Sequence, residues 1–306
     1  MKLAMLSLTS CTGCHVALFH LGQDLMDILK GVEVTYSTVL ADFKKFSPCD
    51  VVLVEGAVRN RKDVDSLRKA REHSGTLVAL GTCSSYGGVA GLGNSMPCIE
   101  IYETAYKDGA HRYPPLMPRL LPLDSYVEVD YYVTGCPPPP QVLSHFFSDL
   151  LGGSKHRVYD LPVCADCPRK VKGEFSKKLR HVHERLPEEE VCLLQQGYIC
   201  LGSVTRAGCG ALCPTAGYPC DGCRGPTHKI LLNPSHGIYI DLVRRRSHYL
   251  DISEDQASRD IDEFIDRGLY KYTLGSPFLR RRNMERISSL LHRVNVDTEE
   301  KELCDA

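Results

Sequence analysis

The sequence predicts an α/β chain in two parts: a doubly wound parallel sheet over residues 1–153, then a largely irregular, cysteine-rich domain over 154–306 that ends in helices. Three observations carry this. Short apolar runs rich in β-branched residues alternate with helical stretches through the first half, as in strand–helix–strand units. The alternation fades near residue 154, where glycine, proline and cysteine become frequent. Eight of the fifteen cysteines then fall between Cys164 and Cys223.

Residues 2–8 read as a short buried strand, and Thr9-Ser10-Cys11-Thr12-Gly13-Cys14 suits a tight turn into a helix. Over 15–30, Leu18, Leu21, Leu25, Ile28 and Leu29 recur at three and four residues, which predicts one helix with one apolar face. Residues 32–39 alternate at Val32, Val34 and Tyr36 and predict a strand. The run 50–54 is almost wholly apolar, the mark of a strand covered on both faces. A charged helix follows over 61–72, then a buried strand over 76–80 that runs into Gly81-Thr82-Cys83. A fifth strand, 127–133, ends at Gly135-Cys136-Pro137, and a helix over 141–151 is stopped by Gly152-Gly153. Doubly wound sheets place their sites at the carboxyl ends of strands. Cys11 and Cys14 follow the first strand, Cys83 the fourth and Cys136 the fifth, so three segments deliver four thiols to one edge.

Downstream the cysteines read C-x2-C-x24-C-x7-C-x8-C-x3-C-x6-C-x2-C, with little aliphatic content around them, so bound metal is expected to substitute for a core. Two helices are predicted beyond. One has Ser253 as N-cap with Gln256 three residues on, and Ile261, Phe264 and Ile265 on one face. The other begins near Asn283 with Ile287, Leu290, Leu291 and Val294 on one face. Both are expected to pack on the body of the protein, and the charged tail 297–306 to be disordered.

Charge and composition exclude some functions. A net charge of −1 gives no electrostatic case for nucleic acid or an acidic membrane surface. No apolar run reaches the eighteen or so residues that span a bilayer. No secretory signal is read at the start, so the cytoplasm is the default, where fifteen cysteines point to metal ligation rather than disulfides. Two all-cysteine zinc sites would need the same eight downstream thiolates. Pro214 directly after Cys213, and Arg-Gly-Pro after Cys223, favour iron–sulfur clusters instead.

These motifs resemble the small, electron-transferring subunit of [NiFe] hydrogenases over nearly all of residues 1–226. The resemblance rests on Cys11-Thr12-Gly13-Cys14, Gly81-Thr82-Cys83 and Gly135-Cys136-Pro137-Pro138, which in that family lie in a flavodoxin-like domain. It implies that Cys11, Cys14, Cys83 and Cys136 bind a proximal [4Fe–4S] cluster beside the Ni–Fe centre of a large partner subunit. It further implies a distal [4Fe–4S] cluster on Cys164, Cys167, Cys192 and Cys200. In periplasmic members the first of these positions is histidine. Cys209, Cys213, Cys220 and Cys223 would hold a medial [4Fe–4S] cluster, with Cys213 where those members have proline and a [3Fe–4S] centre. These departures resemble the cytoplasmic group 3 enzymes, and the long C-terminal extension after residue 226 most resembles the small subunit of the F420-non-reducing, viologen-reducing hydrogenase of methanogens. There, electrons pass through a [2Fe–2S] delta subunit to heterodisulfide reductase. The gamma subunit of the F420-reducing enzyme is similar as well. The nickel-binding R-x-C-G-x-C and D-P-C-x-x-C pairs do not occur, so no catalytic Ni–Fe centre is expected on this chain.

Outside that resemblance, a complex I type quinone-reductase subunit has adjacent cysteines in its first motif and lacks the downstream eight. A zinc-stabilised interaction protein without a redox role stands as the alternative of another class. Glu55 falls on the same edge as the upstream thiols, with a proton-path or cluster-tuning role, or a loop-bonding one, as alternatives. Thr12, Gly13, Thr82 and Gly135 are expected to hydrogen-bond cluster sulfurs. Cys49, Cys98 and Cys304 read as plain thiols, and His181 and His183 as surface residues. Arg244-Arg245-Arg246 and Arg280-Arg281-Arg282 read as solvated faces or a docking surface.

Overall fold

The computed structural model describes residues 1–39, 42, 45–106, 114–152, 161–233, 237–264 and 267–276. The helix expected from Asn283, the tail 297–306, Arg280-Arg281-Arg282, Ile265, Gly153, Cys304 and the domain boundary at 153/154 lie outside them. The described residues fall into two compact units, one of 1–152 with 271–276 and one of 161–264 with 267–270. Residues 271–276 thus group with the first unit rather than with the residues before them.

In the first unit five parallel strands run β1 (Lys2–Ser7), β2 (Glu33–Ser37), β3 (Cys49–Glu55), β4 (Ser74–Leu80) and β5 (Tyr131–Val133) along the chain. Their order in the sheet is β2-β1-β3-β4-β5, the flavodoxin order. The helices are α1 (Gly13–Phe19), α2 (Gln23–Lys30), α3 (Arg61–Glu72), α4 (Thr82–Tyr86), α5 (Cys98–Tyr106) and α6 (Pro140–Leu151). β3 explains itself from composition: Val52, Leu53 and Val54 are fully buried, as the apolar run demands of a central strand. The α3 N-terminus is fixed by a reciprocal box, in which Asn60 accepts from the Asp63 amide and Asp63 from the Asn60 amide.

Two expectations are corrected. The single helix over 15–30 is two, α1 and α2, because Gly22 takes φ +56° and breaks the ladder between them. The fifth strand shrinks from 127–133 to Tyr131–Val133. Just before it the Asp130 amide still bonds the Leu77 carbonyl (3.0 Å), but the Leu77 amide turns to the Asp130 carboxylate (2.7 Å), which Arg71 also holds (2.6 Å), so regular pairing stops there. Val127 and Val129 still pack on the core of the sheet.

The second unit is sparsely regular, with α7 (Leu212–Thr215), α8 (His228–Leu232), α9 (Ile238–Leu250) and α10 (Glu254–Phe264). α9 was not expected from the sequence, and it contains Arg244, Arg245 and Arg246. Each of these is ion-paired, Arg244 beside Glu254 (3.8 Å), Arg245 to Asp241 (2.6 Å) and Arg246 to Asp260 (2.7 Å), rather than simply solvated. Ser253 does cap α10 through the Gln256 amide (3.1 Å), but the Gln256 side chain turns to Asp260 instead of closing the box. Leu201 and Val204, from the cysteine-rich stretch, share one apolar core with Ile230, Leu242, Val243 and Ile261. The stretch therefore has a protein core on one side, supplied by the helices that follow it. Among the described residues no helix is long and apolar enough to cross a membrane.

Candidate metal centres

The parallel sheet sets the first group of thiols. β1, β4 and β5 all end at one edge, so the turns after them bring Cys11, Cys14, Cys83 and Cys136 together. Burial, then the charges of Glu55, Cys83, Cys136 and Cys11, push the Cys14 thiol far up, so all four sulfurs lie within electrostatic reach of one another. Cys136 is pushed up to about 11, by burial first and then by Cys83 and Cys11, with Lys271 pulling the other way. Cys11 is exposed and the other three are half-buried.

The backbone makes room for these sulfurs. Gly81, at φ +90°, presses against the Cys14 sulfur so closely that a Cβ there would collide with it. The Val89 and Ala90 amides point at Cys83, which favours its thiolate. These amides belong to the turn after Gly87-Gly88, a stretch whose composition gave no cue to a role. Thr82 bonds the turn that carries Cys136. Its hydroxyl accepts from the Gly135 amide (3.0 Å), and its own amide bonds the Gly135 carbonyl (3.0 Å). Thr82 and Gly135 thereby lock the Cys83 turn to the Cys136 turn. The Thr12 amide takes the Ser10 hydroxyl (3.3 Å).

Glu55, at the end of β3, is fully buried. One of its oxygens accepts from the hydroxyls of Ser7 (2.8 Å) and Ser10 (3.1 Å) and lies 3.0 Å from His15 Nδ1. The other accepts from the His15 amide (3.1 Å). Burial opposes its ionisation, but the contacts with His15 and Ser7 outweigh it and hold the carboxyl below its ordinary range. The carboxylate thus binds the Cys11–Cys14 turn from both ends. His15 is fully buried and was missed in the sequence, because a lone histidine beside a cysteine motif carries no pairing signal.

The second unit holds the other eight thiols. Burial and then Cys200, Cys192 and Cys167 push Cys164 up, to about 12, while Arg245 pulls the other way. Cys200 is likewise raised by burial and by Cys192 and Cys167, and eased by the Gly202 and Cys220 amides. Cys164, Cys167, Cys192 and Cys200 therefore form one set of four. Gly202 backs onto it, since a Cβ there would lie 3.2 Å from the Cys164 sulfur and 3.7 Å from that of Cys200. The remaining four fall into two pairs: Cys213 is raised by burial and then Cys209, and Cys220 by burial and, among charges, by Cys200 and Cys223. Cys220 adjoins the Cys164 set. The Cys220 amide donates to the Cys200 sulfur (3.3 Å), and the Leu201 amide bonds the Cys220 carbonyl (2.8 Å).

Sets of thiols with amides aimed at their sulfurs and glycines cut back to admit bulk suit anionic, sulfur-ligated groups such as iron–sulfur clusters. Among the described residues no three His, Cys, Asp or Glu side chains are gathered tightly enough for a single metal ion. Cys49 and Cys98 stay apart from these thiols: the Cys49 thiol faces the His73 carbonyl (3.8 Å), and Cys98 sits between Arg59 (3.6 Å) and the Met117 carbonyl (3.7 Å). His181 and His183 stack on each other at 5.5 Å, and Phe264 covers His181 at 4.1 Å.

Comparison with known proteins gives three findings. The family model for the NADH ubiquinone oxidoreductase, 20 Kd subunit, matches residues 11–150. One subunit of the vhu F420-non-reducing hydrogenase of Methanococcus voltae, and its counterpart in Methanocaldococcus jannaschii, are 38% and 39% identical over 240 residues, covering 75% of this chain and 84% and 83% of theirs. A crystal structure of an NAD+-reducing [NiFe]-hydrogenase in the H2-reduced state contains a chain 30% identical, with 51% of this chain and 94% of that one covered at a TM-score of 0.47.

Proposed function

The chain belongs to the family of hydrogenase small subunits, and from that premise we propose that its three thiol groups each hold a [4Fe–4S] cluster. As a hydrogenase small subunit it is part of an oxidoreductase complex. The observation that supports the reading is the gathering of Cys11, Cys14, Cys83 and Cys136 at one sheet edge and of four more thiols around Cys164, with the pairs Cys209–Cys213 and Cys220–Cys223 in the same unit as the latter. Cys11, Cys14, Cys83 and Cys136 would bind the proximal cluster. Cys164, Cys167, Cys192 and Cys200 would bind the distal one, and Cys209, Cys213, Cys220 and Cys223 the medial one.

When bound, such clusters supply one-electron carriage between a hydrogen-oxidising Ni–Fe site on a partner and a low-potential acceptor. The chain's own residues supply the rest. Val89, Ala90, Gly202 and Cys220 aim amides at sulfurs and so lessen the penalty on negative charge there. Glu55 fixes the loop that presents Cys11 and Cys14, and Thr82 with Gly135 fixes those of Cys83 and Cys136. The Cys220–Cys200 hydrogen bond keeps the medial and distal sets adjacent. The partners implied are a large Ni–Fe subunit, a [2Fe–2S] delta subunit and heterodisulfide reductase. The high thiol content suits a cytoplasmic setting. On this reading 1–153 is the flavodoxin-like domain of the proximal cluster and 154–306 the domain of the other two.

The test is elemental. Anaerobically purified complex should contain about twelve iron and about twelve acid-labile sulfide per chain, as three [4Fe–4S] centres require. It should also co-purify with a nickel-containing chain. About two zinc per chain without sulfide would replace the proposal by that of a zinc-stabilised interaction protein.

A further inference from the structure

The Cys164 group has a cation fixed beside it by a short chain of contacts. Cys164 is its exposed member. Three consecutive arginines on α9 lie in the same unit, but two of them are engaged elsewhere. Arg246 is held by Asp260 (2.7 and 2.9 Å) and by the Lys177 carbonyl (2.6 Å), and Arg244 lies by Glu254 (3.8 Å). Arg245 is the one tied, through Asp241 and Ser203, to the segment that walls these sulfurs.

The fixing runs through the segment that walls the sulfurs. Arg245 Nε donates to Asp241 (2.6 Å), one turn earlier on α9. Asp241 also accepts from the Ser203 hydroxyl (2.8 Å). Ser203 closes the short helical segment Leu201–Ser203 that follows Cys200, and Gly202 within it backs onto the sulfurs of both Cys164 and Cys200. Ser203, Asp241 and Arg245 therefore tie one guanidinium to the wall of one thiol group. The side chains of Arg245 and Asp241 are 36% and 16% exposed, so solvent screens their charges only in part.

We propose that Arg245, held by Asp241 and Ser203, is the counter-charge that sets the reduction potential of the group bound by Cys164, Cys167, Cys192 and Cys200. This rests on the cluster reading above. Reduction adds an electron at that group. A fixed cation beside it favours the reduced form, and the Asp241 carboxylate behind it works against that effect. Removing each charge must therefore move the potential in opposite directions, which damage to packing does not do.

The experiment is an anaerobic redox titration of the complete complex, followed by electron paramagnetic resonance, with iron and sulfide measured on each sample. At a fixed ambient potential Arg245→Gln should lower the reduced-to-oxidised ratio of one centre about tenfold, which is about 59 mV for a one-electron couple. Arg245→Lys should recover most of that change. Asp241→Asn, which keeps acceptors for Arg245 and Ser203, should raise the ratio of the same centre. The other centres should stay in place. The proposal is overturned if Arg245→Gln moves no centre, if Arg245→Lys moves it as far, or if Asp241→Asn moves it the same way as Arg245→Gln. Wild-type complex without iron and sulfide would overturn the cluster reading itself, whereas full iron with unmoved potentials overturns only the role of Arg245.

Discussion

Replacing Glu55 by Gln tests whether a buried carboxylate organises the first thiol group. The side chain keeps its shape, so any effect is one of charge and hydrogen bonding. In the native protein the carboxylate accepts from the Ser7 and Ser10 hydroxyls and the His15 amide, and His15 Nδ1 lies 3.0 Å from it. A glutamine can place its carbonyl oxygen at the more crowded position, but its NH2 then faces the His15 amide. That leaves the His15 N–H and the new NH2 facing each other, two buried donors without an acceptor, at about 1–3 kcal/mol each. The surviving bonds also change from charge-assisted to neutral, roughly 1 kcal/mol more, part of which is offset because no charge is buried any longer. The net loss is about 3 kcal/mol. For a unit of this size that lowers the thermal midpoint by roughly 6–12 °C, measured by circular dichroism under anaerobic conditions. Loosening of the Cys11–Cys14 turn should also cost about four of the twelve iron. Because the folded carboxyl lies below its ordinary value of 4.5, its contribution is full above that pH and is lost as pH falls through the lower folded value. Wild type and variant should therefore converge in acid. A variant that melts within 2 °C of wild type at neutral pH, with all its iron, would refute the assignment.

Other substitutions probe other links. Cys213→Pro should remove about one iron per chain and make one centre markedly easier to reduce, as the [3Fe–4S] resemblance implies; unchanged iron would place Cys213 outside the ligand set. Gly275→Val should destabilise the first unit by more than about 2 kcal/mol, since a Cβ at Gly275 would lie 2.7 Å from Gly87 Cα and 3.1 Å from the Tyr86 carbonyl. Proteolysis or thermal melting reads that loss, and wild-type resistance would contradict the packing of 271–276. Asp260→Asn should cost about 1 kcal/mol, because it removes the charge that joins α9 to α10 through a mostly buried Arg246. Raised salt should narrow the difference between the two proteins, and a gap that widens with salt would exclude an ionic origin.

What could be read in the sequence followed periodicity and residue chemistry. The central strands were legible because β3 is covered on both faces, and a doubly buried strand has no choice but to be apolar. The edge where Cys11, Cys14, Cys83 and Cys136 meet was legible because topology alone sends the ends of β1, β4 and β5 to one side. The break at Gly22 was not, since the leucine pattern continues across it and only the backbone torsion reveals the turn. β5 was overestimated because Val127 and Val129 are needed by the core whether or not they pair in a ladder. α9 escaped because its apolar stripe, Ile238, Leu242 and Val243, is short and then gives way to three arginines. Amides aimed at sulfurs, from Val89, Ala90 and Gly202, cannot be foreseen from residue type, because every residue but proline carries one.

The sparse aliphatic content of the cysteine-rich stretch pointed to metal as its only source of order, and the core shared with α8, α9 and α10 changes that account. The segment Leu201–Ser203 has two faces with different supports. Leu201 packs into the apolar core with Ile230, Leu242 and Ile261, while Gly202, beside it, closes on the Cys164 and Cys200 sulfurs. Ser203 then reaches across to Asp241 on α9. The position of the sulfurs is thus set from the protein side, through a segment pinned by roughly 2 kcal/mol for each large buried side chain. A segment held this way keeps Gly202 and the sulfurs it backs onto in place through the apolar core rather than through the sulfurs alone. For a carrier that must alternate between two charge states, that rigidity limits reorganisation at each transfer, and it gives the C-terminal helices a purpose beyond covering the surface.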